Sequence, residues 1–151
     1  MLALPEGLLV SWYGDDFTGS AATMEVLEFA GLPSVLFLKQ PTDEQLARFP
    51  DVRGLGVAST ARAHSPEWMD EHLPAEFEFI KSTGAPICHY KICSTLDSSP
   101  SSGSVGRAID IAKPIMQSPW IPCQVAAPVM RRYQAFGNLF AAAGSDVYRL
   151  D

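Results

Sequence analysis

The sequence predicts a three-layer α/β fold, a mostly parallel sheet with helices on both faces and a C-terminal hairpin. Three observations predict it. Segments of strand length recur at residues 8–13, 34–38 and 87–93, and the largely apolar make-up of the first two suits strands buried on both faces. Segments of helical period lie between them, closed by Gly31-Leu32-Pro33 and by Gly84, the usual stop signals of helices. The regular alternation of strand and helix builds βαβ units with right-handed crossovers.

Taken in order, residues 8–13 form the first strand. A helix follows over residues 19–30, with Ala22, Val26, Phe29 and Ala30 as its apolar positions. Residues 34–38 are a second buried strand. Thr42 caps a short helix reaching about residue 49, with Asp43 and Glu44 in its first turn, where the helix dipole favours negative charge. Residues 54–59 are a third, weaker strand. Ser65-Pro66-Glu67 is an N-cap, a proline at the first helical position and an acid. That helix runs to about residue 82, with a kink or a split expected at Pro74. Residues 87–93 are the fourth strand, and residues 103–117 form a helix that Pro114 shortens or bends. A fifth strand is expected over residues 120–127. Two extended pieces within residues 133–150, turning around Ala142, Gly144 and Ser145, give the hairpin.

At 151 residues the chain is long enough for one domain with a core. No apolar run approaches the roughly 18–20 residues of a membrane span, and the N-terminus lacks the basic segment of a signal peptide. Cys88, Cys93 and Cys123 are odd in number and form no CxxC pair, which suits a reducing compartment. The expected location is the cytoplasm. A net charge of −6 argues against nucleic acid as a partner. The charge is uneven: residues 1–80 hold 4 basic and 13 acidic side chains, residues 81–151 hold 7 and 4. The basic excess shares its half with a Ser/Gly-rich loop, a combination that suits a small anion better than a polyanion.

Ligands of open α/β sheets bind beyond the carboxyl ends of the strands. Gly14-Asp15-Asp16 stands at such an end. Successive side chains of a strand point to opposite faces, so one Asp can face the crevice while the other caps the following helix. The stretch KICSTLDSSPSSGSVGRAID, residues 91–110, is the second candidate site. Lys91 ends a strand, Asp97 lies within the Ser-rich loop, and a helix start with free amides follows, a natural anion seat. Arg107 falls in that first turn, where the dipole disfavours a cation; an anion held between Arg107, Lys91 and the loop amides relieves the conflict, as does a pair with Asp110. Arg62 lies just past the third strand, and Arg131 and Arg132 just past the expected fifth. No GxxxxGK[ST] loop is present, and Ser102 replaces the first glycine of a GxSxG elbow. His64, His72 and His89 show no metal spacing.

Three segments, GDDFTGS (14–20), KICSTLDSSPSSGSVGRAID (91–110) and RYQAFGNLFA with VYRLD (132–141 and 147–151), together resemble the N-terminal, substrate-binding domain of the four-carbon acid sugar kinase family. The match covers essentially the whole chain, residues 1–151, as one sugar-acid-binding domain. The resemblance implies an ATP-dependent kinase acting on the terminal hydroxyl of a tetronate or 3-oxo-tetronate. ATP and Mg²⁺ would belong to a separate nucleotide-binding domain, in cis or as another chain, with neither expected on this chain, which alone would bind substrate without turnover. Asp15 and Asp16 are then the candidates for accepting the hydroxyl proton, with Asp97 as runner-up. Arg62, Lys91, Asp97, Arg107 and the loop from Ser98 to Ser104 are the candidate substrate contacts. Two departures stand out: Ala21-Ala22 where the family often has Thr-Asp, and Arg131 where it often has Gly. The competing readings are a stand-alone small-carboxylate sensor and a phosphate-ester enzyme holding a metal on Asp15 and Asp16. A homo-oligomer stays open, and no membrane partner is expected.

Overall fold

The computed structural model describes residues 4–150. Four parallel strands, β1 (Val10–Gly14), β2 (Ser34–Phe37), β3 (Gly54–Ala58) and β4 (Ile87–Lys91), lie in the order β2-β3-β1-β4. β1 is central and pairs with β3 and β4 in register, Gly14 opposite both Ala58 and Lys91. The carboxyl ends of β1, β3 and β4 therefore finish on one line.

The helices are α1 (Phe17–Phe29), α2 (Asp43–Leu46), α3 (Pro66–Ser82) and α4 (Val105–Met116). The pleat assigns them to faces. A Cβ on Gly14 would strike Ser20 of α1, and one on Gly54 would meet Leu27. The neighbouring positions Tyr13 and Val57 point the other way, into a core with Met69, Leu73 and Phe77 of α3 and Ala108 of α4. Tyr13 packs edge-on to Phe77 and stacks on Tyr90 at 6.3 Å. Helices thus cover both faces of a mostly parallel sheet, as expected. Gly56 faces Trp12, whose ring lies 2.1 Å from where its Cβ would be; only glycine leaves room for that fully buried indole.

Several local expectations need correction. Pro74 does not split α3, which runs as one helix from Pro66 to Ser82. The proposed apolar stripe of α1 faces outward, with Val26 68% and Phe29 87% exposed. Ser20 and Leu27 face the sheet instead, against Gly14 and Gly54, and Ser20 is buried. Residues 120–127 form no strand. Pro119, Pro122 and Pro128 each lack an amide donor, which a paired strand needs. The segment is held instead by Gln134, which accepts from the Val125 amide and donates to the Cys123 carbonyl. The C-terminal hairpin is present as β6 (Asn138–Ala143) and β7 (Asp146–Leu150), and β5 (Arg132–Ala135) joins it as a third antiparallel strand. Phe136 and Gly137 both have positive φ, the type I′ geometry of a two-residue hairpin loop. Among the described residues, no helix is long and apolar enough to cross a membrane.

Candidate functional site

The site begins with the backbone. Beyond the strand ends the chain ties three loops together. The Asp15 amide donates to the Lys91 carbonyl at 2.9 Å, the Arg62 amide to the Asp15 carbonyl at 3.1 Å, and Ser59 Oγ to the Gly14 carbonyl at 2.8 Å. These bonds continue the register of β1, β3 and β4 by a residue or two. They bring Asp15, Asp16, Arg62 and Lys91, up to 76 positions apart in sequence, to one rim.

Arg62 resolves the repulsion between the adjacent carboxylates. Its guanidinium grips Asp15 at both oxygens, 2.6 and 3.1 Å, and reaches Asp16 Oδ2 at 2.9 Å. Forked pairing of this kind suits Arg rather than Lys. The two carboxylates differ sharply in setting. The Asp15 side chain is 3% exposed and wholly engaged by Arg62. The Asp16 side chain is 29% exposed, and its Oδ1 caps α1 by accepting from the Gly19 amide at 2.8 Å. Asp16 therefore serves as N-cap and remains reachable. Burial raises the pKa of Asp15, and the hydrogen bond and charge of Arg62 oppose that rise, with Lys91 adding a smaller downward pull. The Arg62 pKa is raised in turn, chiefly by its hydrogen bond to Asp15. Lys91 extends along the start of α1, its Nζ 3.1 Å from where a Gly19 Cβ would stand. It donates to the Ile92 carbonyl.

The Ser-rich loop is fastened to the same turn. Gly103 donates to the His64 carbonyl at 2.9 Å. It takes φ +58, and a Cβ there would lie 2.5 Å from the Arg62 carbonyl oxygen, so glycine permits the close approach. Ser98 Oγ accepts from the Val105 amide, and Ser104 Oγ caps α4 through the Arg107 amide. These two serines spend their acceptors on the helix start that the sequence offered to an anion. Asp97 accepts from Thr95 Oγ1 at 2.9 Å. Arg107 pairs neither with Asp110 nor with the rim. Its guanidinium forks onto Asp70 of α3 at 2.5 and 2.7 Å, and both partners are more than 40% exposed. Arg131 donates to the Gly144 carbonyl and Arg132 to the Met130 carbonyl, so both serve the C-terminal sheet.

Sequence reasoning missed Asp70 and the Arg62 fork. The fork had one visible signal, a lone Arg just past a strand neighbouring the one that ends in two acids. Among the described residues, no group of three His, Cys, Asp or Glu side chains is placed to hold a metal ion. Both carboxylates of the Asp15–Asp16 pair are engaged by Arg62, which balances one of their two charges.

Residues 10–149 match the model of the sugar-binding N-terminal domain. The chain belongs to this family, the N-terminal domains of four-carbon acid sugar kinases. A curated relative of this sugar-binding domain is 3-oxo-isoapionate kinase of Paraburkholderia graminis, 54% identical over 149 residues, covering 99% of this chain and 32% of the relative. Among solved structures, a domain of unknown function from Bordetella bronchiseptica, a domain-swapped dimer with bound citrate, superposes with a TM-score of 0.70. It is 24% identical and covers 87% of this chain and 32% of its own. A Salmonella typhimurium LT2 protein carrying a provisional tRNA synthase label reaches 0.75 at 21% identity, covering 88% of this chain and 31% of its own. At these identities the two structures show the shared fold. The sugar-binding domain spans about a third of the length of each relative.

Proposed function

We propose that this chain is the substrate-binding part of an ATP-dependent kinase that phosphorylates the terminal hydroxyl of a four-carbon sugar acid. One observation carries the reading: two carboxylates and two cations converge at the carboxyl rim of a parallel sheet in a chain of the sugar-binding family. The name of the 54% identical relative supports a 3-oxo acid as the substrate class. The nucleotide-binding domain, in cis or as a separate chain, would bring ATP and Mg²⁺, whose charge supports the transferred phosphoryl group. The isolated chain would bind the acid and turn nothing over, and the enzyme would work in the cytoplasm.

The residues then divide the work. Asp16 holds the acceptor hydroxyl and takes its proton, because its carboxylate is the reachable one. Asp15 is a positioning residue: it fixes Arg62, and Arg62 fixes the orientation of Asp16. Lys91 meets the substrate carboxylate beside the start of α1, where the helix dipole adds to its charge. The Ser98–Ser104 loop closes over the Arg62 turn and contributes hydroxyls. Arg107, occupied by Asp70, takes at most a peripheral part.

Thermal denaturation with added ligands tests this. A 3-oxo-tetronate or tetronate at ~100 Kd should stabilise by ~2.7 kcal/mol, a rise in Tm of ~5–10 °C for a domain of this size. ATP alone should give none, and Lys91→Ala should abolish the effect of the acid. Stabilisation by ATP alone, with no response to any sugar acid, would overturn the assignment.

A further inference from the structure

Next to the charged rim, on the α3 face of the sheet, lies a cleft of about 220 Å³ between the ends of β1–β3 and the first turns of α3. Pockets for drug-sized ligands run to roughly 300–1,000 Å³, so this one selects a small molecule. Its wall carries Tyr13, Lys39, Ser59, Thr60, His72 and Glu76. One side carries three stacked, nearly parallel rings, with Trp68 of α3 between His64, just before that helix, at 4.0 Å and His72 at 4.2 Å.

Glu76 is the unusual group. It sits on the core-facing side of α3 next to Phe77, yet no described residue donates to it, and its Oε2 is shut from solvent without a partner. Buried polar atoms are nearly always satisfied, and an unmet carboxylate is costly. Burial raises its pKa, with His72 as the opposing charge. The groups facing it from the packed elements are His72 on its own helix, Tyr13 of β1 and Lys39 beyond β2. The Tyr13 hydroxyl, pushed up to about 12 by burial, stays protonated. A wall with one acid, one base and several hydroxyls selects neither a bare cation, which Lys39 repels, nor a bare anion, which Glu76 repels. It suits a molecule with many hydroxyls and little charge.

We propose that this cleft is a second small-ligand site, taking a neutral polyhydroxylated chain of about four carbons through hydrogen bonds to the unpartnered Glu76 carboxyl and to the Tyr13 and Thr60 hydroxyls, with Ser59, already bonded to the Gly14 carbonyl and the Ala61 amide, as wall. The site is distinct from the Asp16–Lys91 rim and does not depend on the kinase reading.

Amide chemical-shift mapping with erythritol and threitol tests it. The expected result is saturable shifts at Glu76, His72 and Ser59–Thr60 for at least one tetritol. Binding should weaken at least tenfold in Glu76→Ala and at least threefold in the volume-preserving Glu76→Gln, and change less than twofold in Lys39→Ala. Titration with a tetronate separates the two sites. If the tetronate shifts only residues around Asp16 and Lys91 and neither tetritol perturbs the cleft, the second site is refuted and the kinase reading stands. If a tetritol shifts the cleft and the tetronate binds nowhere, the cleft stands and the kinase reading fails. Tetritol shifts that persist unchanged in both Glu76 variants also refute the cleft.

Discussion

Arg62 is the residue on which the candidate site depends most. Removing its guanidinium, as in Arg62→Met, leaves Asp15 with an almost inaccessible carboxylate and no cation gripping it. Breaking a buried ion pair by deleting one partner costs roughly 3–5 kcal/mol. Arg62 itself is about a quarter exposed, so water can enter, and the lower end, ~3 kcal/mol at pH 8, is the expected loss. The pH dependence follows from the direction of the Asp15 shift. Its folded pKa lies above the ordinary value, so the native state binds the extra proton, and stability falls as pH rises through that window. Without Arg62 both of its downward pulls vanish and the pKa climbs further. The variant should therefore lose stability with rising pH more steeply than the wild type, by at most ~1.4 kcal/mol per pH unit. Towards acid pH, where the raised pKa lets the folded variant take up the proton, the deficit should shrink. Urea denaturation of both proteins between pH 4.5 and 8 measures this. The double variant Asp15→Asn/Arg62→Met removes the charge as well and should recover more than half of the loss at pH 8. A deficit constant across this pH range, or a double variant no better than the single, would refute the account of a buried carboxylate held ionised by Arg62.

Three further outcomes follow from the structure. Burial raises the Glu76 pKa, so the wild type loses stability as pH rises past the ordinary glutamate value; Glu76→Gln should escape that loss, and its advantage in urea denaturation should grow from pH 4.5 to 7.5. Gly56→Ala drives a methyl into the buried Trp12 ring and should cost ~2–3 kcal/mol by overpacking, read as a lower urea midpoint at unchanged slope. Arg107→Ala removes an exposed pair with Asp70; it should barely move the melting temperature, less still at high salt, and should change sugar-acid affinity in calorimetry by less than twofold.

The layers of the fold were legible because its strands advertise themselves. Residues 35–38 are an unbroken apolar run, residues 87–93 alternate apolar side chains with His89 and Lys91, and Ser65-Pro66 and Thr42 cap helices where their chemistry demands. α1 misled because periodicity does not say which face is inward. The helix sets Ser20 against Gly14 of β1 and Leu27 against Gly54 of β3, and the apolar side chains of Val26 and Phe29 point outward. Residues 120–127 misled because apolar content outweighed three prolines in the reading. In the site, the position of Asp15 and Asp16 followed from the strand end alone. Their partner did not, because register decides it: only the pairing of Gly14 with Ala58 sets Arg62 opposite them. Arg107 shows the converse. The misplaced cation at a helix start was real, but the charge that satisfies it comes from α3, 37 residues away.

The arrangement also explains why two adjacent acids are tolerable at this rim. On an extended strand they would point to opposite faces, but the chain leaves β1 at Gly14, and both carboxylates come to bear on one guanidinium. A single Arg neutralises one full charge and shares a second. The remaining negative charge is spread over the α1 amides through the Asp16 cap and lies close to Lys91. The cluster of two acids and two cations is thus nearly balanced before any ligand arrives, with Lys91 and the reachable carboxylate of Asp16 adjacent. In the proposed roles a hydroxy acid gives its carboxylate to Lys91 and a hydroxyl to Asp16, and the one net negative charge it adds lies beside the amides that open α1. A neutral polyol would leave Lys91 unmet, and a dianion would crowd Asp16. If Lys91 and Asp16 hold the roles proposed for them, monoanionic hydroxy acids should bind above both neutral and dianionic analogues of equal length, measured by calorimetry on the same chain.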